Sequence, residues 1–129
     1  MAITSEHLAY EIDVAARTVM VVYIGELTDN EVLRFYASLM AQYPDAPNYD
    51  YLLDMRYTDW RATPEMIARL DQIFRRRPTD HLRRIAIVRK SLASTNMRQE
   101  KVLHEGLNNR AIRYFSDMAV AQRWLRSPP

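Results

Sequence analysis

The residues best suited to chemistry gather in one stretch, LLDMRYTDWRATPEMIARL, residues 52–70. An apolar run there ends on an acid, Asp54, and Arg56 follows two residues later. Trp60 stands in the polar loop beyond, before a helix start at Thr63. A carboxylate, a guanidinium and an indole in one loop could bind a ligand or a partner. They do not form the nucleophile–base pair of a covalent catalyst.

A second set of cations, Arg89 and Lys90, follows another apolar run at Ile85–Val88. In open sheets of parallel strands, ligands bind outside the carboxyl ends of the strands, so the two sets are expected to meet there. Arginine donates bidentately to carboxylates and phosphates, which favours an anionic ligand. The predicted ligand-binding residues are Asp54, Arg56, Trp60, Arg89 and Lys90.

The same residues also allow a purely structural interpretation. In it, Asp54 pairs with one of the basic side chains and Trp60 covers the core. Both interpretations remain open from the sequence.

Several other kinds of site lack the residues they need. The chain has no cysteine, which excludes disulfides, thiolate nucleophiles and cysteine-based zinc sites. His7, His81 and His104 fall in different predicted elements. His104 and Glu105 begin a zinc-protease motif, but Asn108 stands where the second histidine belongs. We therefore predict no metal site and no cofactor, and we assign no catalytic residues. An enzyme of unknown class stays open as an unsupported alternative.

The length of 129 residues predicts one domain, residues 1–129. Residues 1–60 carry three arginines against ten acids, whereas residues 61–129 carry fifteen basic groups against six acids. Two interpretations are open: a basic surface for anions or nucleic acid, or two halves that interleave and cancel or that pair across a dimer. Acids beside the arginines, such as Asp71 and Asp80, make nucleic acid the less favoured partner.

An antiparallel hairpin is predicted to open the fold. Residues 7–14 alternate apolar and polar side chains, with Val14 on the apolar face, as in a half-buried strand. Residues 17–24 are nearly all apolar and β-branched, as in a strand covered on both faces. Only residues 15–16 separate the two.

Strands and helices then alternate, which favours a mostly parallel sheet. Helix starts are indicated by a capping box of Thr28 with Glu31, by Thr63 and by Ser116, and a further helix is predicted over residues 91–105. Three more strands are expected around residues 52–53, at 85–88 and at 111–115. We predict an α/β fold with a mixed, mostly parallel five-stranded sheet flanked by four helices, in the order β-β-α-β-α-β-α-β-α.

This order, the ending YFSDMAVAQRWL and the stretch LLDMRYTDWRATPEMIARL resemble the STAS-like, SpoIIAA-like family of small bacterial proteins. That family includes anti-sigma-factor antagonists and is similar in fold to Sec14-type lipid-binding domains. Its regulatory members carry a phosphorylatable serine in the region matching residues 54–64. Here only Thr58 and Thr63 are available and the surrounding motif is absent, so we predict no phosphorylation site.

The resemblance implies a non-enzymatic regulatory module that acts through protein contacts. The alternative is a protein that binds an anionic metabolite or lipid at the carboxyl ends of the strands. The tyrosines of the first half allow two interpretations: ordinary packing at the edge of the core, or a homodimer through this half or between it and the basic half. No apolar run approaches the ~20 residues of a membrane helix, and no secretory signal is recognisable, so we expect a cytoplasmic protein.

Overall fold

The computed structural model describes residues 2–3, 6–74, 83–91 and 110–127. Its strands are β1 (Ala2–Ile3), β2 (Leu8–Asp13), β3 (Thr18–Ile24), β4 (Asp50–Tyr57), β5 (Arg83–Val88) and β6 (Arg110–Phe115). Its helices are α1 (Asp29–Gln42), α2 (Pro64–Phe74) and α3 (Met118–Arg126), and a short 3-10 helix spans Ala46–Asn48.

The strands form one sheet in chain order, β1-β2-β3-β4-β5-β6. The pairs β3–β4, β4–β5 and β5–β6 are parallel, and β1–β2 and β2–β3 are antiparallel. The predicted α/β class and mostly parallel sheet are confirmed. The two-residue strand β1 is an addition that the sequence pattern was too short to reveal. The helix predicted over residues 91–105 lies outside the described residues, Ser91 excepted.

The hairpin between β2 and β3 is confirmed, but its turn is longer than predicted. Asp13 pairs with Thr18, so residues 14–17 form the turn. Arg17 adopts a positive φ of 56°, a conformation more usual for glycine, and the backbone N–H of Ala16 donates to Asp13 Oδ1 at 2.9 Å. Placing Val14 on the buried face was wrong, because it lies in this turn and is 58% exposed.

Strand β3 is covered fully on one face only, contrary to the prediction. Val19 and Val21 are completely buried, whereas Met20 and Val22 are half-buried and Ile24 is exposed. Helices α1 and α2 contact each other and contribute to the main core on the face of Val19. On the other face α3 packs against β4, β5 and β6, so β3 lies beside it rather than beneath it.

Two of the three predicted helix caps are confirmed. Thr28 and Glu31 form the reciprocal capping box of α1, and Thr63 Oγ1 accepts from the N–H of Met66 in α2 at 3.2 Å. The prediction that Ser116 caps α3 was wrong. Asp117 occupies the cap position and its Oδ1 accepts from the N–H of Val120 at 3.1 Å.

The uneven charge along the chain becomes an uneven charge in space. Because the strands follow chain order, the acid-rich half (β1 to β4 with α1) lies beside the arginine-rich half (α2, β5, β6 and α3). The halves do not interleave strand by strand. The four parallel strands bring loops from both halves to the same edge of the sheet, where the predicted site lies.

Candidate functional site

A groove of about 990 Å³ opens at the carboxyl ends of the parallel strands. Three segments line it: residues 25–27 after β3, residues 55–61 at the end of β4, and residues 89–91 after β5. Its charged side chains are Glu26, Arg56, Asp59, Arg61, Arg89 and Lys90. The groove therefore offers both acids and a larger number of cations, mostly arginine.

The loop after β4 is fixed by hydrogen bonds that begin at Thr58. Thr58 Oγ1 donates to the carbonyl of Gly25 at 2.6 Å and accepts from the N–H of Trp60 at 3.1 Å. The indole Nε1 of Trp60 donates to Asp29 Oδ1 at 3.0 Å, and its ring stacks on Tyr23 with centroids 5.9 Å apart. Trp60 is thus held against the core and its position in the groove wall is set.

Asp54 and Arg56 form an ion pair within strand β4. Residues two apart on a strand share a face. Arg56 Nε donates to Asp54 Oδ1 at 2.9 Å and Nη2 donates to Oδ2 at 2.8 Å, while the backbone N–H of Arg56 also reaches Oδ1 at 3.2 Å. The hydrogen bonds to Asp54 raise the pKa of Arg56. Both carboxylate oxygens are therefore occupied, and Asp54, at 2% exposure, is absent from the groove lining.

A β-bulge lies next to this pair. Val22 pairs with Asp54 but Ile24 pairs with Tyr57, so an advance of three residues along β4 matches an advance of two residues along β3. Bulges redirect side chains at the ends of strands. Tyr57, just past the bulge, is 56% exposed, and the Arg56 guanidinium lies 5.2 Å from its ring centroid.

Arg89 differs from Arg56 in its surroundings, as far as the described residues show them. It is only 6% exposed, its Nε is buried without a hydrogen-bond partner, and its Nη1 lies 3.4 Å from the carbonyl of Trp60. No carboxylate of the described residues lies within ion-pair distance of it. Burial first, and then the positive charge of Arg61, lower the pKa of Arg89, and Asp59 opposes them more weakly.

The structure brings together four of the five residues predicted as a site. Arg56, Trp60, Arg89 and Lys90 all line the groove, and the fifth, Asp54, is paired with Arg56 instead. Their role in ligand binding stays a prediction. Both halves of the structural alternative are also visible, because an acid pairs with a base and Trp60 packs against the core.

Sequence reasoning missed Arg61. Arg61 lies in the groove wall one residue after Trp60, and its positive charge lowers the pKa of Arg89. The available signal was its place in the same short loop, between a strand end and the helix cap Thr63.

Within the described parts of the chain, no three His, Cys, Asp or Glu side chains are grouped so that they could hold a metal ion. None of the described helices has the length and apolar character needed to cross a membrane.

Comparison with known proteins identifies a family to which the chain is similar. A family model described as SpoIIAA-like matches residues 18–126, from the start of β3 to the end of α3, so the match includes the groove. No curated protein and no solved structure matches the chain.

Proposed function

The chain belongs to the SpoIIAA-like family, and on that premise we propose that it is a regulatory module, of the anti-sigma-factor-antagonist type, that acts by binding another protein. The proposal assigns the contact to the rim of the groove, defined as Tyr57, Asp59, Arg61 and Lys90. A cytoplasmic location is part of this proposal, and the cysteine-free sequence of the chain supports it.

The observation that carries this proposal is the exposed tyrosine beside arginines at the rim. Tyr57 is 56% exposed although it ends a strand whose preceding residues are mostly buried. Tyrosine and arginine are enriched in protein interfaces, where tyrosine supplies apolar area with a polar tip. Asp59 and Arg61 flank Trp60 with opposite charges, which suits a partner surface of mixed charge.

Site-specific photocrosslinking in the native cell tests the docking surface. A photoreactive phenylalanine analogue replaces Tyr57 in one variant and Val14 in a matched control. Val14 is 58% exposed and lies in the β2–β3 turn, at the opposite end of the strands. We expect a defined protein adduct from position 57 that is absent from position 14 and is lost when Arg61→Glu is added.

The adduct's mass identifies the partner class. An adduct of twice the chain mass would make the partner a second copy, the homodimer that the sequence left open. No adduct at position 57, or the same adduct at both positions, would show that the rim is not a docking surface.

The buried guanidinium of Arg89, with its unpartnered Nε, favours a second candidate, a small anionic metabolite or lipid head group bound in the same groove. A ligand present at 100 times its Kd adds about 2.7 kcal/mol to the free energy of unfolding. Thermal-shift screening with anionic metabolites and acyl lipids should therefore find a stabilising compound whose effect Arg89→Ala removes. An unchanged shift in Arg89→Ala would place that compound elsewhere.

A further inference from the structure

We propose that the floor of the groove is a phosphoryl-group site built on the buried guanidinium of Arg89. The inference rests on the proposed use of this groove and names the chemical group that it receives. The phosphoryl group can belong to a small phosphomonoester or to a phosphorylated side chain of a partner, and the experiment below separates these sources.

The first argument is the unsatisfied hydrogen-bonding capacity of Arg89. Its Nε is buried without a hydrogen-bond partner, and its Nη1 donates to the Trp60 carbonyl at the long distance of 3.4 Å. Buried polar groups in native proteins nearly always have a partner, so each exception requires an explanation. A bound oxyanion would provide one, because an arginine fork matches two oxygens of a phosphate.

The second argument is the contrast with Arg56 in the same groove. Arg56 has a carboxylate two residues away, and its Nε and Nη2 donate to the two oxygens of Asp54. Among the described residues Arg89 has no such carboxylate: Asp59 lines the same groove but does not reach ion-pair distance. A cation that is buried without its own acid is costly unless another anion completes it.

The third argument favours phosphoryl over carboxylate. Arg61 and Lys90 line the groove together with Arg89, and the positive charge of Arg61 lowers the pKa of Arg89. A carboxylate carries one charge and two oxygens, which one arginine fork already uses. A phosphoryl group carries about −1.5 to −2 charges near neutral pH and three acceptor oxygens, so it can serve several cations at once.

Calorimetric titration and thermal melting of the full chain test the proposal. The probes are inorganic phosphate, glycerol phosphate, a phosphoserine peptide and acetate, each compared with chloride at equal ionic strength. The test variants are Arg89→Gln and Arg61→Gln. The control is Arg17→Gln, which removes an exposed arginine from the β2–β3 turn at the other end of the strands.

We expect phosphate to bind the wild type and Arg17→Gln equally. Arg89→Gln should raise its Kd at least tenfold, and Arg61→Gln should raise it severalfold. If Arg89→Gln fails to fold, the proposal is still tested by the Kd of phosphate for Arg61→Gln and by the comparison of phosphate with acetate in the wild type. Tighter binding of glycerol phosphate than of the peptide assigns the site to a metabolite, and the reverse order assigns it to a partner side chain.

Three results would overturn the proposal: a phosphate effect no larger than that of chloride, an equal effect in Arg89→Gln, or acetate binding as tightly as phosphate. These failures are separable from failure of the docking proposal. A negative titration with an intact crosslink at position 57 removes only the phosphoryl site. A positive titration without a crosslink removes only the docking surface.

Discussion

Arg56 donates to both carboxylate oxygens of Asp54, two residues before it on the same strand. This ion pair affects which charged side chains the groove presents. Both carboxylate oxygens of Asp54, which the sequence placed in the candidate site, accept hydrogen bonds within β4. Asp54 in turn pairs with Arg56, one of the arginines of the site. Arg89 is left as the buried cation of the groove, and no carboxylate of the described residues lies at ion-pair distance from it.

The first prediction concerns this pair. Arg56→Met should lower the free energy of unfolding by about 2 kcal/mol, because it leaves the buried Asp54 carboxylate without its charged hydrogen bonds. The double variant Asp54→Asn with Arg56→Met should recover part of the loss, since no unpaired charge remains. Urea unfolding of the two single variants and the double variant measures this coupling. Strictly additive losses would contradict it.

The second prediction concerns acid stability at the start of α1. Glu31 completes the capping box, and its Oε2 lies 2.8 Å from His7 Nδ1. This hydrogen bond is the main reason why the pKa of Glu31 lies below its ordinary value of 4.5. The stabilisation is therefore fully present above pH 4.5 and is lost as the pH falls through the lower folded value.

Thermal melting of wild type and Glu31→Gln between pH 7 and pH 3 provides the measurement. The difference in Tm should stay constant at the upper end and shrink as the pH falls below about 4.5. His7→Gln should show part of the same loss. A difference that persists unchanged to pH 3 would rule out the ionised Glu31 as its source.

The third prediction concerns the loop that carries Trp60. Thr58→Val keeps the shape of the side chain but removes the hydrogen bonds to the Gly25 carbonyl and the Trp60 N–H. We expect a loss of about 1–3 kcal/mol and a red-shifted fluorescence of Trp60 as its ring leaves Tyr23. Thr18→Val, at the far end of β3, is the matched control, because its Oγ1 bonds only locally to the Ala16 carbonyl. Equal spectra in both variants would show that Thr58 does not position Trp60.

Local sequence rules predicted most of the fold. The caps at Thr28 and Thr63 rest on one side chain and one nearby backbone N–H, which sequence spacing determines directly. Ser116 and Asp117 are both good caps, so spacing could not choose between them, and the extended backbone at Asp117 did. The apolar run in β3 indicated an inner strand, but it could not show that α3 packs beside that strand.

The place of the site and one of its pairings were predictable, whereas the bulge and the long-range contact of Trp60 were not. Parallel strand exits placed Arg56 and Arg89 at one edge of the sheet. The bond between Asp54 and Arg56 was also foreseeable, since residues two apart on a strand share a face. The bulge in β4 and the hydrogen bond from Trp60 to Asp29, 31 residues away, depend on tertiary packing that a single sequence does not encode locally.

The most direct test of the central claim, that this groove receives an anion, is an NMR titration of the ¹⁵N-labelled chain with inorganic phosphate. The account predicts that the Arg89 Nε–H signal and the backbone amides of residues 57–61 and 89–91 shift in a saturable way. The amide signals of residues 14–17 should not shift, although this segment at the opposite end of the strands includes the exposed Arg17. Shifts centred on residues 14–17, or no saturable shift at Arg89, would contradict the account.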